Sequence, residues 1–154
     1  SSTFFINLPY KAGEKFEDLP IESDSIKNSM GNVTILIAED DETSYLLVEE
    51  ILLLELNDKI RLLHAYNGLE ALEICEKEQD IDLVIMDLKM PVMNGIDATK
   101  KIKSINPRLP IIAQTAYARR DDKIIALEAG CDAYVTKPIS KETLINYIQK
   151  YCRL

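Results

Sequence analysis

From Asn32 onward the apolar residues fall into short runs that alternate between two spacings. "VTILIA" (33–38), "IRLLHA" (60–65), "DLVIM" (82–86), "LPIIAQT" (109–115) and a short segment within "CDAYVTKP" (131–138) are β-branched or continuously apolar, which predicts strands. Between and after them, "TSYLLVEEILLLEL" (43–56), "NGLEALEICEKE" (67–78), "GIDATKKIKS" (95–104), "ARRDDKIIALEAG" (118–130) and "SKETLINYIQKYC" (140–152) carry apolar residues at helical spacing. The punctuation agrees with that division. Thr43 or Asp41, Asn67 and Ser140 are available as N-caps, two prolines follow the third helix, and Gly130 stands where a helix closes.

Strands that are apolar along their length, rather than alternating, predict a parallel sheet covered on both faces. The expectation is therefore a doubly wound α/β domain of five strands and five helices. Such sheets place their ligands beyond the carboxyl ends of the strands. At those ends stand Glu39 and Asp40, followed by Asp41; then Asp87, Thr115, and Lys137 with Pro138. Carboxylates gathered at one edge repel by about 4 kcal/mol at 4 Å under an effective dielectric of about 20. A hard cation with oxygen ligands removes that repulsion, and Mg²⁺ is the usual choice where phosphate chemistry follows. Helix capping explains one acid at the first helix, but not the arrival of Lys137 and Thr115 at the same edge.

Composition narrows the classes. The chain of 154 residues holds one well-buried core and is too short for two ordinary domains, and 47% hydrophobic with 29% charged residues is an ordinary globular balance. A net charge of −8 argues against a nucleic-acid footprint. No apolar run approaches the ~20 residues needed to span a bilayer, and no signal peptide opens the chain. Three widely spaced cysteines, Cys75, Cys131 and Cys152, fit reduced thiols in a cytoplasmic compartment better than zinc or a disulfide framework. His64, the single histidine, reads as a strand-end residue, because no GxSxG or other partner motif accompanies it.

"ILIAEDD", "MDLKMPVMNG", "QTA" and "YVTKP", in that order and spacing, resemble the receiver (response-regulator) domain of two-component signalling, over residues 33 to 154. The resemblance implies a flavodoxin-like sheet of order 2-1-3-4-5. It implies Asp87 as the phosphoryl acceptor, Asp40 touching Mg²⁺ directly, Glu39 through water, and the backbone carbonyl of Lys89 as a further ligand. Lys137 is implied to pair with the phosphoryl oxygens through a cis bond to Pro138, Thr115 to be the switch hydroxyl, and Tyr134 the aromatic that follows it. The donor implied is phosphohistidine on a histidine kinase or a histidine phosphotransfer protein. The output implied is a changed surface on helix 4, strand 5 and helix 5, through which a dimer could also form. Lys89 and Tyr117, two residues past the acceptor and the switch, occupy places that gate the attacking water, and their bulk predicts slow phosphoryl loss. In such a domain the chain promotes its own phosphorylation and dephosphorylation.

"STFFINLP" near the start resembles the last strand of a histidine kinase ATP-binding domain, and residues 11–32 read as a polar linker. That resemblance implies the C-terminal receiver of a hybrid sensor kinase, whose ATP lid and metal box are absent from these residues and whose anchoring to a membrane is left open. Residues 4–10 as an edge strand or a loose tail are the other readings of the same stretch. Two further function classes stand beside the leading one. A receiver-like interaction module that is never phosphorylated needs no Mg²⁺. A flavodoxin-like electron carrier needs a phosphate loop after strand one, where "EDDETS" would repel a flavin phosphate.

Overall fold

The computed structural model describes residues 32–117 and 119–152, so the expected kinase-like strand at 1–10 and nearly all of the expected linker lie outside the described residues. The elements are β1 (Val33–Ala38), α1 (Glu42–Leu56), β2 (Ile60–Ala65), α2 (Gly68–Lys77), β3 (Leu83–Asp87), α3 (Gly95–Ile105), β4 (Ile111–Thr115), α4 (Arg120–Ala129), β5 (Ala133–Thr136) and α5 (Lys141–Tyr151). All strands are parallel in the order β2-β1-β3-β4-β5, as the sequence led us to expect.

The central strands β1, β3 and β4 are buried at every residue, which is why they read as unbroken apolar runs. Their side chains alternate between two layers. Ile35, Ile37, Leu83, Ile85 and Ile112 meet Val48 and Leu52 of α1 and Leu144 and Ile148 of α5. Leu36, Ala38, Val84, Met86, Ile111 and Ala113 meet Ala71, Ala98, Ile102 and Ala126 of α2, α3 and α4. Each fully buried aliphatic side chain contributes about 1.5–3 kcal/mol, so the two layers hold the strand ends firmly.

Asp41, not Thr43, caps α1, its carboxylate accepting from Ser44 N at 2.8 Å. Asn67, Asn94 and Ser140 cap α2, α3 and α5 in the same way, and Gly130 closes α4 at φ 118°. α4 starts at Arg120, two residues later than the periodicity suggests, and its N-cap Arg119 makes no side-chain cap bond. β5 is the short strand expected within 131–138. Asp132 is diverted to a structural task, its Oδ2 accepting from Ile111 N and Lys103 Nζ, both at 2.9 Å, and Pro138 has no N–H to extend the ladder. β4 likewise begins only after Pro110. One helix departs from simple amphipathicity: α1 buries Tyr45, Val48 and Leu52 yet leaves Leu46, Leu47, Leu53 and Leu54 exposed.

Candidate functional site

The layer facing α1 and α5 ends in a polar row. Glu39, Asp87, Gln114 and Lys137 each lie two residues beyond a member of that layer, namely buried Ile37, Ile85 and Ile112 and partly buried Val135. Strand alternation therefore turns all four side chains the same way. Lys137 Nζ lies 2.7 Å from Glu39 Oε1 and 3.3 Å from Asp87 Oδ2. Gln114 Nε2 donates to Glu39 Oε1 at 3.4 Å, and Asp41 N to Glu39 Oε2 at 3.1 Å. Lys89 N donates to Asp87 Oδ1 at 3.2 Å. Glu39 is fully buried and Asp87 nearly so, while Asp40 is exposed; ligand atoms of the three lie within 4.8 Å of one another. Since Asp41 takes the cap, capping accounts for none of these three.

Burial, then the neighbouring charge of Glu39, pushes the Asp87 carboxyl up to about 7, against the opposing pull of Lys137. Burial by itself disfavours the Lys137 ammonium, but its bonds to Glu39 and Asp87 outweigh that and raise it above the ordinary lysine value. The Lys137–Pro138 peptide is cis.

On the other side of the row Thr115 is buried, its Oγ1 accepting from Tyr117 N at 3.3 Å. Its carbonyl accepts from Lys137 N at 2.8 Å, which joins the Thr115 loop to the lysine. Tyr134 is half-buried against the α2–α4 layer, and its hydroxyl donates to Tyr117 O at 2.9 Å. Lys89 Nζ sits 4.7 Å from the centre of the Tyr117 ring, so a cation–π contact spans the two loops beside Asp87.

Residues 35–149 match the response regulator receiver domain family. The chain belongs to that family. The receiver is 34% identical over 120 residues to the polar-differentiation response regulator DivK of Brucella anthropi, covering 77% of this chain and 94% of DivK. A chain in the co-crystal structure of the Saccharomyces cerevisiae histidine phosphotransfer signalling protein Ypd1 and the receiver domain of its downstream response regulator Ssk1 is 30% identical. The match covers 79% of this receiver and 90% of that chain, at a TM-score of 0.71. The receiver domain of the sensor histidine kinase PA1611 from Pseudomonas aeruginosa, solved with a magnesium ion coordinated in its active site cleft, is also 30% identical. There the coverage is 78% and 97%, and the TM-score 0.70. This is the fold and signalling class that the four motifs implied.

The geometry of this receiver brings Glu39, Asp40, Asp87, Lys137 and the Lys89 amide together, whereas Thr115 and Tyr134 lie on the far side of the row and meet at Tyr117. Sequence reasoning missed Gln114, hidden inside "QTA" as a strand residue, and two close backbone approaches. A Cβ on Gly95 would strike the Asp87 carbonyl and lie 2.9 Å from Leu88 Cα. A Cβ on Gly68 would strike the Met93 carbonyl, to which Gly68 N already donates at 2.8 Å. Val92, in the same loop, sits at φ 67° in the left-handed region that β-branched residues rarely adopt. Its backbone shares a tight turn in which Met93 N donates to Pro91 O at 2.7 Å.

Proposed function

We propose that this receiver accepts a phosphoryl group from a protein phosphohistidine onto Asp87, with Mg²⁺ held by Glu39, Asp40, Asp87 and the backbone carbonyl of Lys89. The observation that carries the reading is the imbalance at the polar row: three carboxylates cluster, one ammonium bridges only two of them, and Asp87 is driven up to about 7. An all-oxygen set with excess negative charge suits a small hard divalent cation. Bound there, Mg²⁺ supplies neutralisation of the acidic cluster and of the transferred phosphoryl oxygens.

The chain's own residues do the rest. An Asp87 oxygen attacks phosphorus; the bond from phosphorus to the donor's imidazole nitrogen breaks, and its electron pair leaves with that nitrogen. Lys89 N, donating to Asp87 Oδ1, orients the carboxylate. Lys137 is within reach to exchange a carboxylate partner for a phosphoryl oxygen, since it already bridges two acids. Engagement of the Thr115 hydroxyl by the phosphoryl group would release Tyr117 N, and with it the carbonyl that holds Tyr134. The face of α4, β5 and α5 responds, and exposed Ile124, Ile125 and Leu127 give it an apolar surface for a partner or a second copy. The partner class is a histidine kinase or histidine phosphotransfer protein, in keeping with the Ypd1–Ssk1 pair. The kinase-like residues 1–10 and the polar 11–32 support a hybrid sensor kinase as the parent, which would place the receiver in the cytoplasm. No helix among the described residues is long and apolar enough to cross a membrane.

Incubation with acetyl phosphate and Mg²⁺ should add one phosphoryl group, about 80 Da by intact mass, and omission of Mg²⁺ should prevent it. Absence of any gain, together with no response to beryllofluoride, would favour the unphosphorylated interaction module. The Lys89–Tyr117 contact leads to a second expectation. Replacing either by Ala opens the approach of water to the acyl phosphate and shortens its lifetime by roughly threefold to tenfold, the scale of one lost cation–π contact. Decay of the phosphorylated mass with time measures it, and an unchanged lifetime in both variants would remove the gating role.

A further inference from the structure

We infer that His64 is a positioning residue for the metal-holding acids, acting through the backbone of Glu39. The inference rests on the Mg²⁺ reading of the site, and its first support is a missing rung in the sheet. Glu39 N donates to Ala65 O at 2.9 Å, continuing the β1–β2 ladder one step past its last paired residues. In a parallel ladder the next bond would reach Glu39 O from the N–H of residue 67. There the chain has turned away, and Asn67 caps α2 instead. His64 fills the vacancy: its Nε2 lies 2.8 Å from Glu39 O. A carbonyl only accepts, so Nε2 carries the proton and donates.

The ring is held for that task. It lies two residues beyond Leu62, on the α1–α5 side, where Tyr45 of α1 stacks on it at 3.6 Å between centres and 5° between planes. Tyr66 covers it at 4.0 Å, tilted by 35°. With both its N–H and its carbonyl anchored to β2, Glu39 has its peptide planes fixed. The second of those planes is shared with Asp40. Asp40 is exposed, so the direction of its carboxylate comes from that plane. One bond from His64 thus orients the buried acid and the exposed acid together, and a ring clasped between two tyrosines makes the bond rigid.

Three variants separate donor from packing. His64→Phe keeps a flat ring between the tyrosines and removes the donor. His64→Gln keeps an N–H the same number of bonds from the backbone and removes the stack. His64→Asn draws the donor out of reach, and repeats the first test should the Phe variant not fold. Titration with Mg²⁺ alone, followed by the amide shifts of Glu39 and Asp40, gives affinity and foldedness in one experiment. His64→Phe and His64→Asn should weaken Mg²⁺ binding about tenfold, as loss of a partner behind a metal ligand commonly does. His64→Gln should stay within about twofold of the unaltered chain, because the hydrogen bond survives. Acetyl phosphate rates should diverge in the same order at low Mg²⁺ and converge when Mg²⁺ saturates. If His64→Phe binds as the unaltered chain does, or if His64→Gln weakens as much as His64→Phe, the positioning role is overturned. Failure of the unaltered chain to bind Mg²⁺ would overturn the metal reading itself, and this inference with it.

Discussion

Asp87→Asn gains no mass from acetyl phosphate at any Mg²⁺ concentration, and its metal-free form unfolds at a higher temperature than the unaltered chain. The first result follows from the loss of the only atom proposed to form the acyl phosphate. The second follows from burial. In the fold the Asp87 carboxyl is pushed from 3.8 up to about 7, so between those values the folded state binds more protons than the unfolded one. Stability of the metal-free chain therefore falls as pH rises from about 4 to 7 and stays reduced above that window. A neutral amide of the same shape avoids that penalty and leaves the Lys137–Glu39 pair intact. A gain of about 2 kcal/mol above pH 7 is expected, less than the full shift implies because buried sites relax around a charge. Urea denaturation at pH 5 and pH 8 measures it: the gap between variant and parent should widen at pH 8 and close on adding Mg²⁺ to the parent. Equal stabilities at pH 8 would mean that Lys137 balances Asp87 without a cation.

Gly95→Ala should be the most damaging single methyl in the domain. Its Cβ meets two backbone groups, the Asp87 carbonyl and Leu88 Cα, neither of which yields as a flexible side chain does. Gly95 N also donates to Leu88 O at 3.0 Å, so the first turn of α3 is tied to the strand end that it would have to leave. Overpacking against backbone costs about 3 kcal/mol or more, which lowers the melting temperature by roughly 10 °C in a domain of this size. The phosphorylation rate should fall further than the folded fraction, because the methyl displaces Asp87 itself. Thermal unfolding beside acetyl phosphate labelling tests both. A melting temperature within a few degrees of the parent would show that α3 slides outward at little cost.

Sequence periodicity located the five strands and five α-helices of the described residues, though not the 3-10 turn Asn57–Lys59, because β1, β3 and β4 are buried along their length and the helices begin at recognisable caps. It misjudged two ends: β4 begins only after Pro110, and α4 starts at Arg120, two residues later than its apolar spacing suggests. The candidate site residues were legible as a cluster because strand ends in this fold are a known address and acids there are conspicuous. Gln114, Gly68, Gly95 and His64 were not legible in those roles. Their partners lie between 7 and 75 residues away along the chain, and only the folded sheet and its loops bring them together.

That register has a consequence for how the chain avoids misfolding. The charged row is the last rung of an otherwise aliphatic layer, so the same alignment seats Ile37 beside Ile85 and Glu39 within reach of Lys137. A one-residue slip of β1 would exchange its faces, sending Leu36 and Ala38 into the wrong layer and carrying Glu39 away from its lysine. Lys137 and Asp87 would then share a poorly matched interior, and breaking a buried ion pair costs about 3–5 kcal/mol on its own. The polar edge thereby acts as a proofreader for the core: conformers in which the strands have docked out of step are disfavoured by the very groups proposed to handle the phosphoryl group.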